Sequence, residues 1–458
     1  MLNENTDKTV ALIAPFYNLN QMLAACLDSL IAQSYPHLCI VLVNDGSDDD
    51  SLRLAKEYAL KDERIIIIDK ENGGQSSARN AALELLMQTQ TLVKKGILEG
   101  FEVLGVKGAN PLKIKGIYKN PKQSIQEPAY IQFVDGDDVL ERDCVAECVE
   151  RMIGADVLWF DYQISSTIAL KKIPPSQMRI FSYAEEGFIT RAQWFERAQI
   201  KPLFWFVWQG MIDFSFLKKI KLKFINGIIY EDHCFGILLF MRAETIYLYP
   251  QKKYLYQIHP NSTMNPLNEI SPRSYNYDLF KACGDFESFK AYQWARSWIL
   301  SSAYMMDYFK ENSQEDFEKM RTYFLFIFLD KSLSLLFMAK DPLNLKDLLA
   351  DFKAHLQKHP LSAAECVRQG LAYRLGFAFL SAYKNPRALI SLPFTLWKIY
   401  RRFSREQEIF QNNLSNFPYI HFDKNDENLE VRKIKKHLSY KIGRILCLFI
   451  PSSNKINV

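Results

Sequence analysis

No run of about 20 apolar residues occurs in the chain, so no membrane-spanning helix is expected. The nearest approach, YFLFIFLDKSLSLLFM at 323–338, carries Asp330 and Lys331 in its middle. Cysteine is sparse, eight in 458 residues with no CxxC spacing, which argues against a disulfide scaffold. Cys144 and Cys148 stand one helical turn apart, the spacing of a core face, and a reduced, intracellular protein is the expectation. There is no internal repeat and no low-complexity tract. The opening MLNENTDKTV is polar and acidic, unlike a signal peptide. A net charge of +5 is too small to argue for nucleic acid, and no recognition motif accompanies the basic segments.

What is present is the composition of an ordinary globular protein, 48% hydrophobic and 24% charged, in a length that suits two or three domains. Aromatic residues are abundant (32 Phe, 23 Tyr, 7 Trp), which suits sugar stacking, a membrane interface or a core alike.

Strand and helix signals alternate through the first part. VALIAPFYN (10–18) is a short apolar run closed by polar residues, LNQMLAACLDSLIAQSY (19–35) has helical spacing, and CIVLVNDGSDDDS (39–51) is a strand entering an acidic turn. A helix, the strand and loop RIIIIDKENGG and the helix SSARNAALELLMQ follow. This alternation predicts an α/β fold with parallel strands covered on both faces, ligands binding beyond their carboxyl ends. Residues 89–128, rich in Lys and Gly, interrupt it and read as one or two inserted hairpins. From about 275 onward the periodicity is helical.

The densest chemistry is IQFVDGDDVL at 131–140, where a buried strand runs into Asp135, Asp137 and Asp138. Like charges this close need a counter-charge, and a hard divalent cation shared with substrate phosphates is one solution. The other is an acidic turn capping the next helix, with Asp138 near the N-cap. Gly136 fits close approach of a ligand to the backbone.

PFYN, VNDGSDD, GGQSSARN and DGDD, in that order at successive strand ends, resemble the family 2 glycosyltransferases. That resemblance covers about 8–87 and 129–140. It implies a nucleotide-diphospho-sugar transferase (GT-A, Rossmann-like) domain with a mostly parallel sheet, followed here by a helical C-terminal region. It implies inverting transfer from a nucleotide-sugar, usually UDP-linked, with Mn²⁺ or Mg²⁺. By position, Pro15, Tyr17 and Asn18 would meet the nucleotide, Asp45 the uracil imide, Arg79 the nucleotide, and Asp135 the ribose or a metal-bound water. Asp137 would be the main ligand of this DXD motif. In GIIYEDHCF (227–235) the acidic pair matches Glu231, placed at the sugar or acceptor, and Asp232, the general base. A carboxylate in that role takes the proton of the attacking hydroxyl, while a metal offsets charge on the leaving diphosphate. The alternative for this pair is an ordinary acidic helix start. His233 reads as structural. His259, in YLYQIHPNSTMN, is the candidate for the metal or diphosphate together with Asp137 and Asp135, with Ser262 near a phosphate. Trp208 is placed against the acceptor sugar, with core packing as its alternative.

The expected organisation is a catalytic domain at 1–270 with the 89–128 insertion, a helical domain at 271–425 and a basic amphipathic segment at 426–458. LPFTLWKIYRRFSR (392–405) and VRKIKKHLSYKIGRILCLFI (431–450) mix cations with aromatic and apolar residues, as helices lying on anionic membranes do, or as solvated basic faces do. The enzyme expected is a hexosyl- or N-acetylhexosaminyltransferase acting on a bacterial lipooligosaccharide, capsule or related glycan, lipid-linked or free. It would work at the inner face of the cytoplasmic membrane. The alternatives are a non-catalytic transferase-like domain scaffolding a glycan-assembly complex, and a sugar-nucleotide nucleotidyltransferase. The loop PFYNLNQ lacks the Gly-rich, Arg/Lys-bearing character the latter needs.

Overall fold

The computed structural model describes residues 7–167, 173–200, 203–259, 270–311, 317–358, 364–383, 386–422 and 429–447. The chain forms two compact units, Met1–Asp278 and Leu279–Val458.

The first unit is built on one mixed sheet. Its centre is β1 (Val10–Phe16), β2 (Leu38–Asn44), β3 (Ile65–Lys70) and, after an excursion, β7 (Tyr130–Phe133), all parallel and ordered β7-β1-β2-β3. Every residue of β1, β3 and β7 is buried, the continuous apolar pattern of strands covered on both faces. Helices α1 (Asn20–Ile31), α2 (Ser51–Ala59) and α3 (Gln75–Leu86) connect these strands. The predicted insertion is a hairpin, β4 (Leu92–Leu98) and β5 (Phe101–Val106), followed by β6 (Ile114–Lys119). Because β6 pairs antiparallel with β3, the three strands widen the main sheet instead of standing apart from it.

On the other side of β7 the sheet turns antiparallel. It continues through β11 (Gly210–Asp213) to β9 (Val157–Ser166), β12 (Thr245–Ile258) and the edge strand β10 (Gly187–Thr190), while β8 (Val139–Leu140) pairs with β12. Strands β9 and β12 are parallel, and their register shifts between Tyr249 and Lys252 and again between Lys252 and Tyr254. Helices α4 (Cys144–Arg151), α5 (Gln177–Ile180), α6 (Arg191–Ile200), α7 (Phe214–Ile220) and α8 (Glu231–Arg242) complete this half. Cys144 and Cys148 are both buried on α4, as a core face requires.

Gly136 departs from its expected role. A Cβ there would lie 2.8 Å from the Pro15 carbonyl oxygen and 2.9 Å from the Phe16 Cβ. The glycine lets the ends of β1 and β7 close on each other, with its own N–H donating to Pro15 O at 3.2 Å. Asp138 is no helix cap either: it is fully buried, and Asp143 stands before α4.

The second unit is helical. After α9 (Tyr277–Cys283), which enters it, come α10 (Phe286–Glu311) and α11 (Glu318–Ser332), two 3₁₀ stretches at Leu333–Phe337 and Leu345–Phe352, then α12 (Lys353–Lys358) and α13 (Ala364–Gln369). Helices α14 (Leu371–Tyr383), α15 (Pro386–Ser415), α16 (Leu429–Lys436) and α17 (Leu438–Cys447) close it. Ser262 and parts of the 426–458 segment lie outside the described residues. No described helix is long and apolar enough to cross a membrane.

Gly136→Ala is expected to destabilise the chain by about 1–3 kcal/mol, because the neighbour it meets is backbone and cannot rotate away. Urea unfolding checks this; an unchanged midpoint contradicts the packing role.

Candidate active site

The carboxyl ends of β1, β2, β3 and β7 open on a cavity of about 410 Å³. Its walls include Pro15, Tyr17, Asp45, Arg79, Asp135, Asp137, Trp208, Glu231, Asp232 and His259. Ten of the residues singled out in the sequence therefore meet at one place. Asn18 is not among the lining residues. Its side chain donates to Asp48 Oδ1 at 2.7 Å and accepts from the Asp48 N–H at 2.9 Å, tying the loop after β1 to the loop after β2. Its φ of +51° is one that asparagine tolerates well.

Asp45 is an anchor. Only 3% exposed, it accepts from Lys70 Nζ at 2.6 Å, from Asn72 Nδ2 at 3.0 Å and from the Gly73 and Gly74 N–H groups, the last at 2.8 Å. Both oxygens are engaged by protein donors, and the carboxylate, which lines the cavity, shapes the Asn72–Gly74 turn. Burial raises its pKa, against the pull of Lys70. Over this turn lies the segment after β12: the Tyr275 N–H donates to Asn72 Oδ1 at 3.0 Å, and a Cβ on Gly74, whose φ is +84°, would strike the Tyr275 ring at 2.8 Å. Arg273 in the same segment donates to Asp48 at 3.3 Å.

Arg79 also differs from its expected place beside a nucleotide. It is 2% exposed and bridges two acidic motifs, donating to Asp135 Oδ1 and to Glu231 Oε1 at 2.7 Å each. Gln75 Nε2 adds a second donor to the same Asp135 oxygen at 2.8 Å. Asp135 Oδ1 thus faces protein donors and Glu231 is a partner of Arg79, while both residues line the cavity. Burial and the neighbouring Asp232 raise the pKa of Glu231 while Arg79 lowers it.

The rest of DGDD is held by β12. Tyr254 donates its hydroxyl proton to Asp138 Oδ2 at 2.7 Å and accepts from the Asp135 N–H at 3.0 Å, and the Gln257 N–H donates to Asp138 Oδ1 at 2.7 Å. Burial, with Asp137 and Asp135 adding repulsion, pushes the Asp138 pKa well up. Asp137 faces the cavity, with His259 Nε2 2.9 Å from its Oδ2. Burial, then Asp135, raises the Asp137 pKa. The counter-charge the acidic cluster calls for is Arg79, and His259 adds a hydrogen-bond partner for Asp137.

Asp232 stands at the start of α8, half-buried in the cavity wall, behind Tyr230, whose φ of +61° turns the chain so that the acidic pair enters the site. Burial raises its pKa to about 6, partly offset by Arg79 and by the His233 N–H, which donates to it at 3.0 Å. The His233 ring bonds the Phe204 carbonyl. Trp208 is 8% exposed and stacked on Tyr254 and Tyr256 at 4.6 and 5.2 Å, so it gives the cavity a rigid aromatic wall instead of a free ring for a sugar.

Among the described residues no group of three or more His, Cys, Asp or Glu side chains is arranged to hold a metal ion. Asp137 and His259 offer one hard oxygen and one imidazole nitrogen into the cavity. That pair fits an open site whose other positions come from phosphate and water.

Residues 11–87 match the glycosyl transferase family 2, and residues 303–455 match a domain of unknown function, DUF8374. The chain's first unit carries a family 2 glycosyltransferase domain. The chain is similar to the uncharacterized glycosyltransferase EpsJ of Bacillus subtilis, 27% identical over 258 residues, 55% of this chain and 62% of EpsJ. It is 47% identical to the glycosyltransferase GlyA of Streptococcus pneumoniae over 77 residues, 17% of this chain and 11% of GlyA. Among solved structures, S. aureus TarS 1–349 in complex with UDP superposes with a TM-score of 0.47 at 13% identity, covering 90% of this chain and 91% of that one. The chain thus spans less than two thirds of the length of either curated relative.

Replacing Arg79 with Met removes the cation that Asp135 and Glu231 share and is expected to cost about 3–5 kcal/mol at pH 8. The stranded carboxyls then hold protons more tightly folded than unfolded. The deficit should therefore shrink as pH falls towards 5. Urea melts at the two pH values check this, and a deficit independent of pH contradicts it.

Proposed function

We propose that this transferase moves a sugar, with inversion, from a nucleotide-sugar to a hydroxyl of a bacterial surface glycan. The observation that carries the reading is the single cavity in which Asp137, His259 and Asp232 meet at the strand ends. UDP is the proposed nucleotide, the usual one for the family that residues 11–87 match. Tyr17 and Pro15 form the wall proposed for the base, with Asp45 fixing the turn beside it.

Asp137 and His259 would hold a divalent ion, Mn²⁺ or Mg²⁺. When bound, it would stabilise negative charge on the departing diphosphate. Asp232 accepts the proton of the attacking hydroxyl, from the side of the anomeric carbon opposite the leaving group. Its raised pKa keeps it basic enough for this task while still mostly ionised at neutral pH. Arg79 touches neither reactant; it fixes the spacing between the motifs that carry Asp137 and Asp232. The acceptor is proposed to be lipid-linked or polymeric glycan at the inner face of the cytoplasmic membrane. Whether hexose or N-acetylhexosamine is moved follows from pocket contacts with the sugar itself.

Three outcomes are expected. Calorimetric titration of UDP should show binding with Mn²⁺ that EDTA abolishes, and Asp137→Ala or His259→Ala should weaken the Mn²⁺-dependent binding at least tenfold. Metal-independent binding of equal strength in all three proteins would overturn the metal assignment. Asp232→Asn should leave UDP affinity unchanged and lower transfer by roughly 10²–10⁴-fold. In the wild type kcat/KM should fall about tenfold per unit below pH 6, as Asp232 takes up a proton. The folded state holds that proton more tightly than the unfolded chain, so acidification does not destabilise the fold through this residue. A pH profile flat to pH 5 contradicts the base assignment.

A further inference from the structure

Helix α15 is apolar on two opposite faces over its first half. One face, with Leu396, Ile399 and Phe403, packs with Leu371 and Leu375 of α14, and Leu392 on the same face is buried. The other should be polar on a solvated helix. Instead Ile390, Phe394 and Trp397 lie at i, i+4 and i+7 along it, exposed by 87%, 57% and 50%. The same line then reaches Arg401, one turn beyond Trp397. Arg401 lies over the Trp397 ring at 5.0 Å, and Lys398 over the Phe394 ring at 4.6 Å. Among the described residues neither cation has a carboxylate partner.

The surroundings are basic too, although Arg374 and Arg402 pair with Glu406 and Glu287. From Leu371 to Arg405 the chain has seven Lys or Arg and no Asp or Glu, and from Val431 to Cys447 six and none. These two segments carry more positive charge than the whole chain's net +5. Phe377 on α14 and Ile445 on α17 are also exposed, by 57% and 58%. The platform beneath is rigid. Helices α14 and α17 cross so closely that a Cβ on Gly376 would lie 1.6 Å from the Ser439 carbonyl oxygen, and one on Gly443 1.4 Å from that of Ala372.

We propose that the outward face of α15, centred on Ile390, Phe394, Trp397, Lys398 and Arg401, is a docking surface for an anionic phospholipid bilayer. Rings and an aliphatic chain enter the headgroup–acyl boundary, and the cations beside them reach lipid phosphates. Charge complementarity selects this occupant. A second copy of the chain, docked through the same face, sets these cations against their own kind. A nucleic acid leaves the apolar line unused. The proposal assigns a membrane-surface role to the stretch that matches the domain of unknown function, and it stands independently of the catalytic reading.

The test is sedimentation of the full chain with vesicles of equal parts phosphatidylcholine and phosphatidylglycerol, against pure phosphatidylcholine. The wild type should pellet with the anionic vesicles and, more weakly, with the neutral ones. Phe394→Ser with Trp397→Ser should lower the partition coefficient by on the order of tenfold or more for both vesicle types. Lys398→Gln with Arg401→Gln should lower it by roughly tenfold or more for the anionic vesicles alone and flatten its salt dependence. All four side chains are exposed, so circular dichroism should be unchanged. No pelleting of the wild type, or equal pelleting of the Ser variant, overturns the proposal. So does a wild-type dimer that the Ser variant dissolves without either protein binding vesicles.

Discussion

One buried guanidinium holds the catalytic unit's two acidic motifs in register. Arg79 comes from α3, Asp135 from the end of β7 and Glu231 from the start of α8. A cation this deep is stable only with charged partners, and carboxylates this deep only with a cation. Each motif therefore makes the other's burial tolerable. The spacing between the proposed metal ligand and the proposed base follows from that mutual dependence, because Asp137 and Asp232 are the chain neighbours of the two paired carboxylates.

Pairing also sorts five carboxylates into distinct states. Asp135 and Glu231 share Arg79. Asp138, enclosed by Tyr254 and Gln257, is pushed towards its neutral form. Asp137 and Asp232 remain at the cavity wall with raised pKa values. Repulsion within DGDD is thereby relieved from three directions before any ligand arrives. Only one carboxylate of that motif, facing His259, is left for chemistry.

The parallel centre of the sheet was legible because β1, β2, β3 and β7 are unbroken apolar runs, each ending in polar residues. The convergence of Asp137, Asp232 and His259 came from the resemblance, since no local pattern links residues so distant in sequence. The roles of Arg79, Asp45 and Trp208 were read toward ligands alone, whereas each, at the cavity wall, is also held by protein partners. A motif gives a residue's type and position, while the number of partners it already has is a tertiary fact. Lys70 and Gln75 were missed because one cation at a strand end and one amide at a helix start carry no periodic signal. Tyr254 and Tyr256 do share a strand face two residues apart, which an alternation count would have found. The α15 surface was visible as a mixture of cations and aromatics, but only burial separates its inner apolar face from its outer one.

The two register shifts in β12, between Tyr249 and Tyr254, lie upstream of everything this strand brings to the site. Tyr254, Gln257 and His259 meet Asp138 and Asp137 only because the chain has absorbed those shifts by the time it reaches them. A strand's faces alternate with each residue, so the phase of the whole segment is set by counting. Between positions 249 and 254 the site is thus more exposed to changes in chain length than to changes in side chain. One residue lost there sends the histidine's ring to the opposite face with every side chain of the site still present in the sequence.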